Sequence, residues 1–435
     1  MTATAPSIAD PYRQRFAEFL ANRREPDSLT GLRRAAFARF ESLGLPTRRQ
    51  EAWRSTDLGP LQAGAWNLPT TAPVEVGSLP DLGQAAHRLV FVNGRYAPAL
   101  SQGPALPDGV TVTCLSQAAA SQTTLVESSL DQAPGLDRHP FAALNAAFWE
   151  DGAFVHLPRG AVLETPIHLI FVATGHDALI HPRLLAVLED GAQATVVVEY
   201  RGQGRYLNAP VAELTIGDGA VLHYHQIQDE SPQAFHLGAI GLRQGRDSQA
   251  QAHLFADGGQ VTRTDLTALL DGEGAHCALD GLTLGHDSQY GDFHVRVEHA
   301  YPHGTSEQLF KSVLDGKAQA MFDGMIHVRP HAQKSDARQL SRNLLLSRQA
   351  QAHSIPRLEI LADDVKCGHG SSTGFLDPDA EFYLRARGIP ASAARALLVY
   401  AFANDNLNRI GLTPLRERLG QVLADRLALL DGDAR

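Results

Sequence analysis

Apolar positions over the first 60 residues recur at helical spacing. Tyr12, Phe16, Phe19 and Leu20 share one face, and Leu32, Ala36, Phe40 and Leu43 repeat it until Gly44 and Pro46 stop the pattern. This predicts an N-terminal helical region over 1–60. From Leu58 to Gly83 neither period survives, so 61–150 reads as a linker and irregular approach to the core, with ordered chain resuming near Leu89. Over 151–376 the texture changes to short runs rich in Val, Ile, Leu and Thr, such as Thr195-Val-Val-Val-Glu-Tyr200, separated by Gly- and Asp-bearing turns.

Within this β region Ala-Gln-Ala recurs from Ala192, Ala250, Ala318 and Ala350, and Asp-Gly from Asp190, Asp218, Asp271 and Asp315. The spacing clusters loosely around multiples of about thirty residues, as a coil of stacked rungs would leave it, because each rung buries its inward side chains only against its neighbours. An antiparallel sandwich also gives short strands with glycine turns. The pattern favours a β-helix only slightly. Helices return over 377–435. Asp377-Pro378 reads as an N-cap and first turn, Gly388 as a stop, Ser392 as the cap of a second helix, and Thr413-Pro414 as the start of a third carrying Leu415, Leu419, Val422, Leu423, Leu427 and Leu430.

Composition narrows the function. The 435 residues are 44% apolar and 20% charged, which suits a folded globular protein. The net charge of −10 comes without a Lys/Arg-dense stripe, so nucleic acid is not an expected partner. The start Met1-Thr-Ala-Thr-Ala-Pro-Ser lacks the features of a signal peptide, and no apolar run reaches membrane-spanning length, so a cytoplasmic location without membrane contact is expected. Only Cys114, Cys277 and Cys367 occur, far apart and without a Cys-x-x-Cys pair. Any iron–sulfur cluster held here would need ligands from another chain.

The string Ala362-Asp-Asp-Val-Lys-Cys-Gly-His-Gly370 carries the most chemistry. If it is extended, Asp363, Val365, Cys367 and His369 lie to one side, so a thiol and an imidazole stand together while Gly368 and Gly370 leave the other face bare. Lys366 is placed to lower the thiol pKa. On residue types alone a lone cysteine is more often a small buried hydrophobe. His223 and His225, with His294, His299 and His303, lack thiol or carboxylate companions at ligand spacing and read as structural, as do Cys114 and Cys277. Asp315-Gly316-Lys317 falls short of a phosphate-binding loop, and no hydrolase signature occurs.

The stretch from Lys334 to Gly388, through Leu340-Ser-Arg-Asn-Leu-Leu-Leu-Ser347, the Cys-Gly-His string and Glu381-Phe-Tyr-Leu-Arg-Ala-Arg-Gly388, resembles the SufB/SufD family of the SUF iron–sulfur cluster assembly machinery. Arg49-Gln-Glu-Ala-Trp-Arg-Ser-Thr-Asp-Leu58 and Phe91-Val-Asn-Gly-Arg-Tyr96 add to the likeness, and the overall length suits the shorter branch of that family. The resemblance implies a right-handed parallel β-helix core flanked by N- and C-terminal helical domains. It also implies a non-catalytic scaffold that pairs with SufB through the β-helix end and binds the SufC ATPase through its C-terminal helices, with a homodimer possible in isolation. His369 and Cys367 become the expected ligands of a transient cluster shared with SufB, and Leu397, Leu398 and Phe402 the expected SufC-docking face. Two other readings of a β-helix stay open: a carbohydrate-active enzyme and a self-paired structural homo-oligomer.

Overall fold

A computed structural model describes residues 10–62, 64, 66–69, 79–83 and 86–430. The first residues, on which the absence of a leader was read, and residues 63, 65, 70–78, 84 and 85 of the expected linker lie outside the described residues.

Two sheets wind together into a parallel β-solenoid of about eight turns. In one sheet Gln193–Gly202 pairs in register with Val221–Glu230, and the series continues through Gln249–Gly258, His276–Gly285, Thr305–Leu314 and Asp336–Leu345 to Lys366–Phe375. The other runs through Val211–Ile216, Phe235–Gln244, Val261–Leu270, Tyr290–His299 and Gln319–Val328 to Gln351–Ile360. The register explains the loose thirty-residue recurrence: Val221 pairs with Gln249, Gln249 with His276, His276 with Thr305, and Thr305 with Asp336. Parallel pairing along the core decides for stacked rungs over the antiparallel sandwich.

The corners depend on glycine where the chain turns left-handed, at Gly191 (φ 68°), Gly219 (φ 65°) and Gly316 (φ 62°). Gly272, after Asp271, serves differently: a Cβ there would overlap the backbone of Arg246 in the corner below. Alternate residues of each strand point inward, where Val196, Val198, Leu222, Tyr224 and Leu254 meet Leu214, Leu242 and Leu266 of the other sheet in one buried cluster. Each such side chain contributes about 1.5–3 kcal/mol of burial.

The region expected as linker and irregular approach contains more order than its pattern suggested. Strand His87–Val92 pairs in parallel with Ile167–Ala173, extending the first sheet. Helix Pro140–Phe148 is buried along its whole length, so it shows no amphipathic period. Helices Asp10–Ala21 and Asp27–Leu43 pack aromatic side chains against it, with Phe16 stacked on Phe37 at 4.2 Å and both rings against Phe148. The Arg49–Leu58 segment is pinned to the solenoid by Arg263, whose guanidinium lies 3.7 Å from the Trp53 ring centre and donates to Ala52 O, while Thr56 donates to Asp292 at 2.6 Å.

At the other end, Asp377 caps helix Pro378–Arg385 by accepting from Asp379 N at 3.0 Å, and Gly388 follows with φ 84°. Helix Ala391–Leu407 starts behind Pro390 without a side-chain cap, so Ser392 does not play the expected part. With Thr413–Leu430 it lies on the outer face of the first sheet, where Val399, Ala403, Leu407, Leu419 and Leu423 cover Val197, Ile227, Phe255 and Leu282. The side chain of Leu430 lies outside the described residues. Much of this seam is polar. Asn406 donates to Gly281 O and Leu309 O and meets His253, Arg409 pairs with Asp280, Arg418 with Glu199, and Arg426 with Asp257. Among the described residues no helix is long and apolar enough to cross a membrane.

Candidate functional site

The last rung, Gln351–Ile360 with Lys366–Phe375, ends both sheets, and each of its strands has a neighbour on one side only. Covered rungs bury their inward residues; here they are half-buried or open. Ile355, Leu361 and Phe375 are 44%, 52% and 60% exposed at this end. Such a face leaves strand edges unpaired and apolar side chains uncovered.

Cys367 and His369 sit on the inward face of this rung. One inward file runs Ala194, Leu222, Ala250, Cys277, Ser306, Ala337, Cys367, and its neighbour runs Val196, Tyr224, Ala252, Leu279, Gln308, Gln339, His369. The solenoid therefore brings thiol and imidazole to one side of one strand, at the mouth of its own interior. Both line an open cavity of about 520 Å³ together with Asp336, Gln339 and Lys366. Asp363 and Val365 precede the strand; Val365 packs with Cys367 against Ile326, Val328 and Ala337.

Burial pushes the Cys367 thiol up, a hydrogen bond with the Ala337 backbone works against this, and the Asp336 carboxylate adds to the rise. The expected lowering by Lys366 is thus corrected: half-burial, with the Asp336 carboxylate nearby, raises the thiol instead. Metal binding would have to displace the thiol proton. Asp364 is occupied by an ion pair with Lys334. A Cβ at Gly368 would meet nothing, so that glycine leaves the outer face open rather than relieving a clash. Thiolate and imidazole are both competent iron ligands, yet two ligands do not close a cluster site. Among the described residues no group of three or more His, Cys, Asp or Glu is arranged to hold a metal ion.

The remaining candidates are scattered. His223 bonds Gln251, and His225 lies buried beside His253 under the C-terminal helices. His294 faces Asp292, His299 meets Ser306, and His303 stands 3.9 Å from Glu273. Cys114 and Cys277 are buried in the solenoid core, where burial pushes the Cys277 thiol up to about 12. On the helical tail Leu397 is 50% exposed and Leu398 half-buried, whereas Phe402 packs against the inner cluster with the Lys311 ammonium 4.7 Å from its ring. Phe382, 72% exposed, and Tyr383, 56% exposed, are further open aromatic side chains on helix Pro378–Arg385. Sequence reasoning passed over both, although they stand in the Glu381–Gly388 motif.

Reasoning from sequence also missed the change inside the solenoid. In the last three rungs the inward files turn polar, with Gln308, Ser312, Gln339, Ser341, Asn343 and Ser354 in place of aliphatic side chains. The signal was present as polar residues at alternate positions of Asp336–Leu345. In the groove lined by Asp265, His294 and Asp323, the carboxylates are held by Arg263 and Arg357, and Arg263 keeps Asp265 well below the usual carboxylate range. Both carboxylates there are engaged by arginine.

The SufBD core domain of the SUF iron–sulfur cluster assembly system matches residues 171–402, and the SufBD N-terminal region matches residues 7–169. An iron–sulfur cluster assembly SufBD family protein of Synechocystis is 34% identical over 419 residues, 92% of each chain. The iron–sulfur cluster assembly protein SufD of Escherichia coli is 28% identical, covering 90% of this chain and 91% of its own. SufD of Bacillus subtilis is also 28% identical, over 96% and 97%. With a core-domain match across more than half its length, on a parallel β-solenoid that ends in a Cys-Gly-His strand, the chain belongs to the SufBD family of iron–sulfur cluster assembly proteins.

Proposed function

We propose that this chain is a non-catalytic scaffold subunit of a cytoplasmic SUF complex, pairing through the open end of its solenoid with a SufB partner and binding the SufC ATPase through its C-terminal helices. The observation that carries this reading is the uncovered last rung, where Cys367 and His369 point into an open cavity among exposed apolar residues. A partner rung stacked there would cover Ile355 and Phe375, pair the free strand edges and bring its own ligands to the thiol and imidazole. The nascent cluster is then cargo assembled between two chains. Three free thiols suit a reducing compartment.

Residues 377–435 act as the docking domain in this reading, with Leu397, Leu398 and the exposed Phe382 and Tyr383 supplying the apolar contact. Phe402 serves that contact from beneath, since it is already engaged with Lys311. Nucleotide-driven motion of the ATPase would pass through the polar seam between tail and solenoid to the end rung, which requires a two-state interface. Co-purification of the tagged chain with SufB and SufC, wild type against His369→Ala, tests the scheme. A stable complex that loses iron and sulfide on substitution supports it; failure to form any complex overturns it.

A further inference from the structure

Beneath His369 in its inward file lies a pair of stacked amides. Gln339 is 2% exposed, and its Nε2 donates to Gln308 Oε1 at 3.1 Å. This bond gives the ladder a direction. It uses the donor end of Gln339 and leaves Gln339 Oε1 buried without a partner, as Gln308 Nε2 is at the far end. A buried acceptor with nothing to accept is rare in a native interior. Space for the amide is made by Gly324 on the facing sheet, where a Cβ would overlap Gln339 Nε2.

The next position along the file is His369, in register with Gln339 and lining the same cavity. Neighbouring strands lie about 4.8 Å apart, within reach of an imidazole N–H and an amide oxygen on one face. Among the described residues none hydrogen-bonds the His369 ring. The file therefore ends in an orphaned acceptor beside an uncommitted donor.

We infer that Gln339 is the positioning residue for His369: when a partner covers the end rung, Gln339 Oε1 accepts the N–H of one ring nitrogen, fixing the tautomer and turning the other nitrogen's lone pair toward the cluster. A ligating histidine commonly has its second nitrogen held in this way, and the holder tunes ligand orientation and basicity. Gln308 supports Gln339 by accepting from its amide Nε2, which leaves Oε1 as the end free for the histidine. This inference rests on the proposed role of His369 as a ligand, and the test separates the two.

The experiment uses the full complex assembled with SufB and SufC, with ¹⁵N-histidine in this chain only. The His369 signals are identified by difference against His369→Ala in magic-angle-spinning spectra at a pH where free imidazole is neutral. Wild type is expected to show one tautomer for His369. Gln339→Met, similar in size but without the acceptor oxygen, should give a mixture of tautomers and a several-fold loss of iron and sulfide. Gln339→Glu, which keeps an acceptor, should restore the single tautomer. A ring with the same tautomer in wild type and Gln339→Met, in complexes that assemble equally well, overturns the inference even if iron content depends on His369. Iron content indifferent to His369→Ala overturns the ligand role and with it the purpose of the ladder, whatever the spectra show.

Discussion

The rungs at Gln249–Gly258 and Lys366–Phe375 share a sheet, a register and a strand length of ten residues, yet their inward faces differ in kind. The first offers Ala250, Ala252, Leu254 and Ala256 to a dry, buried cluster. The second offers Cys367, His369, Ser371 and Thr373 to an opening. Between them the aromatic stack of Phe293, Phe310 and Phe322, with the latter two rings 4.7 Å apart, fills the interior where polar side chains such as Gln308 and Ser312 enter the inward files. A rung in the middle of a solenoid must fill space on both sides, whereas the last must satisfy only the one below. That freedom lets reactive side chains occupy positions that would otherwise be packed.

The contrast can be broken most forcefully at its boundary. Phe310→Ala removes a buried ring from the aromatic stack and should cost about 3–5 kcal/mol in denaturant unfolding, with Leu254→Ala at about 2–5 kcal/mol. His369→Ala, on the same sheet but exposed, should stay within about 0.5 kcal/mol. If the two classes cost the same, the contrast is wrong.

Buried neutral histidines give a pH test of the covered region. Burial lowers His181 and His225 to about 3, and His253 and His299 to about 4. Each binds a proton more readily unfolded than folded, so its contribution is present above the unfolded value of about 6.5 and is lost as pH falls toward the folded value. Asp280, raised to about 7 by burial and only partly offset by Arg409, acts in the opposite sense. The unfolding free energy should therefore fall between pH 6.5 and 4, and His253→Gln should shrink that fall by up to about 3 kcal/mol. An unchanged slope in the variant would refute the assignment to His253.

Gly324→Ala should cost about 1–3 kcal/mol, because its Cβ overlaps the Gln339 amide, and Gln339→Ala in the same chain should recover part of that loss. The smallest effect on the chain itself is expected where the proposed functional effect is largest. Ile355→Asp with Phe375→Ser should leave the unfolding midpoint of the isolated chain nearly unchanged while abolishing co-purification of SufB.

The sequence favoured the solenoid only slightly through its recurrences: the Asp-Gly pairs at Asp190, Asp218, Asp271 and Asp315 mark corners, whereas Ala250-Gln-Ala252 lies inside a strand. It announced the Cys-Gly-His strand because alternation places residues 367 and 369 on one face whatever lies beneath. Pattern could not tell which face was inward, because that depends on a register set many residues away. Helix Pro140–Phe148 escaped notice because a helix buried all round has no polar face to create a period. The thiol's direction of shift was misjudged because Lys366 is visible in the string and burial is not. The amide ladder was hidden for a similar reason: Gln308 and Gln339 are thirty-one residues apart and meet only through the coil.

The corners carry a consequence for how such a chain can be edited. Between paired strands the step along the chain varies, as from Gln249 to His276 and from Thr305 to Asp336, while the strands themselves keep ten residues. Variation in length is absorbed where the chain turns, leaving the ladder untouched. Six steps separate Gln193 from Lys366, roughly 29 Å at about 4.8 Å each. The solenoid thus works as a ruler graduated in whole rungs: residues can be inserted at a corner without moving the end strand, but adding or removing a rung displaces it by one full graduation.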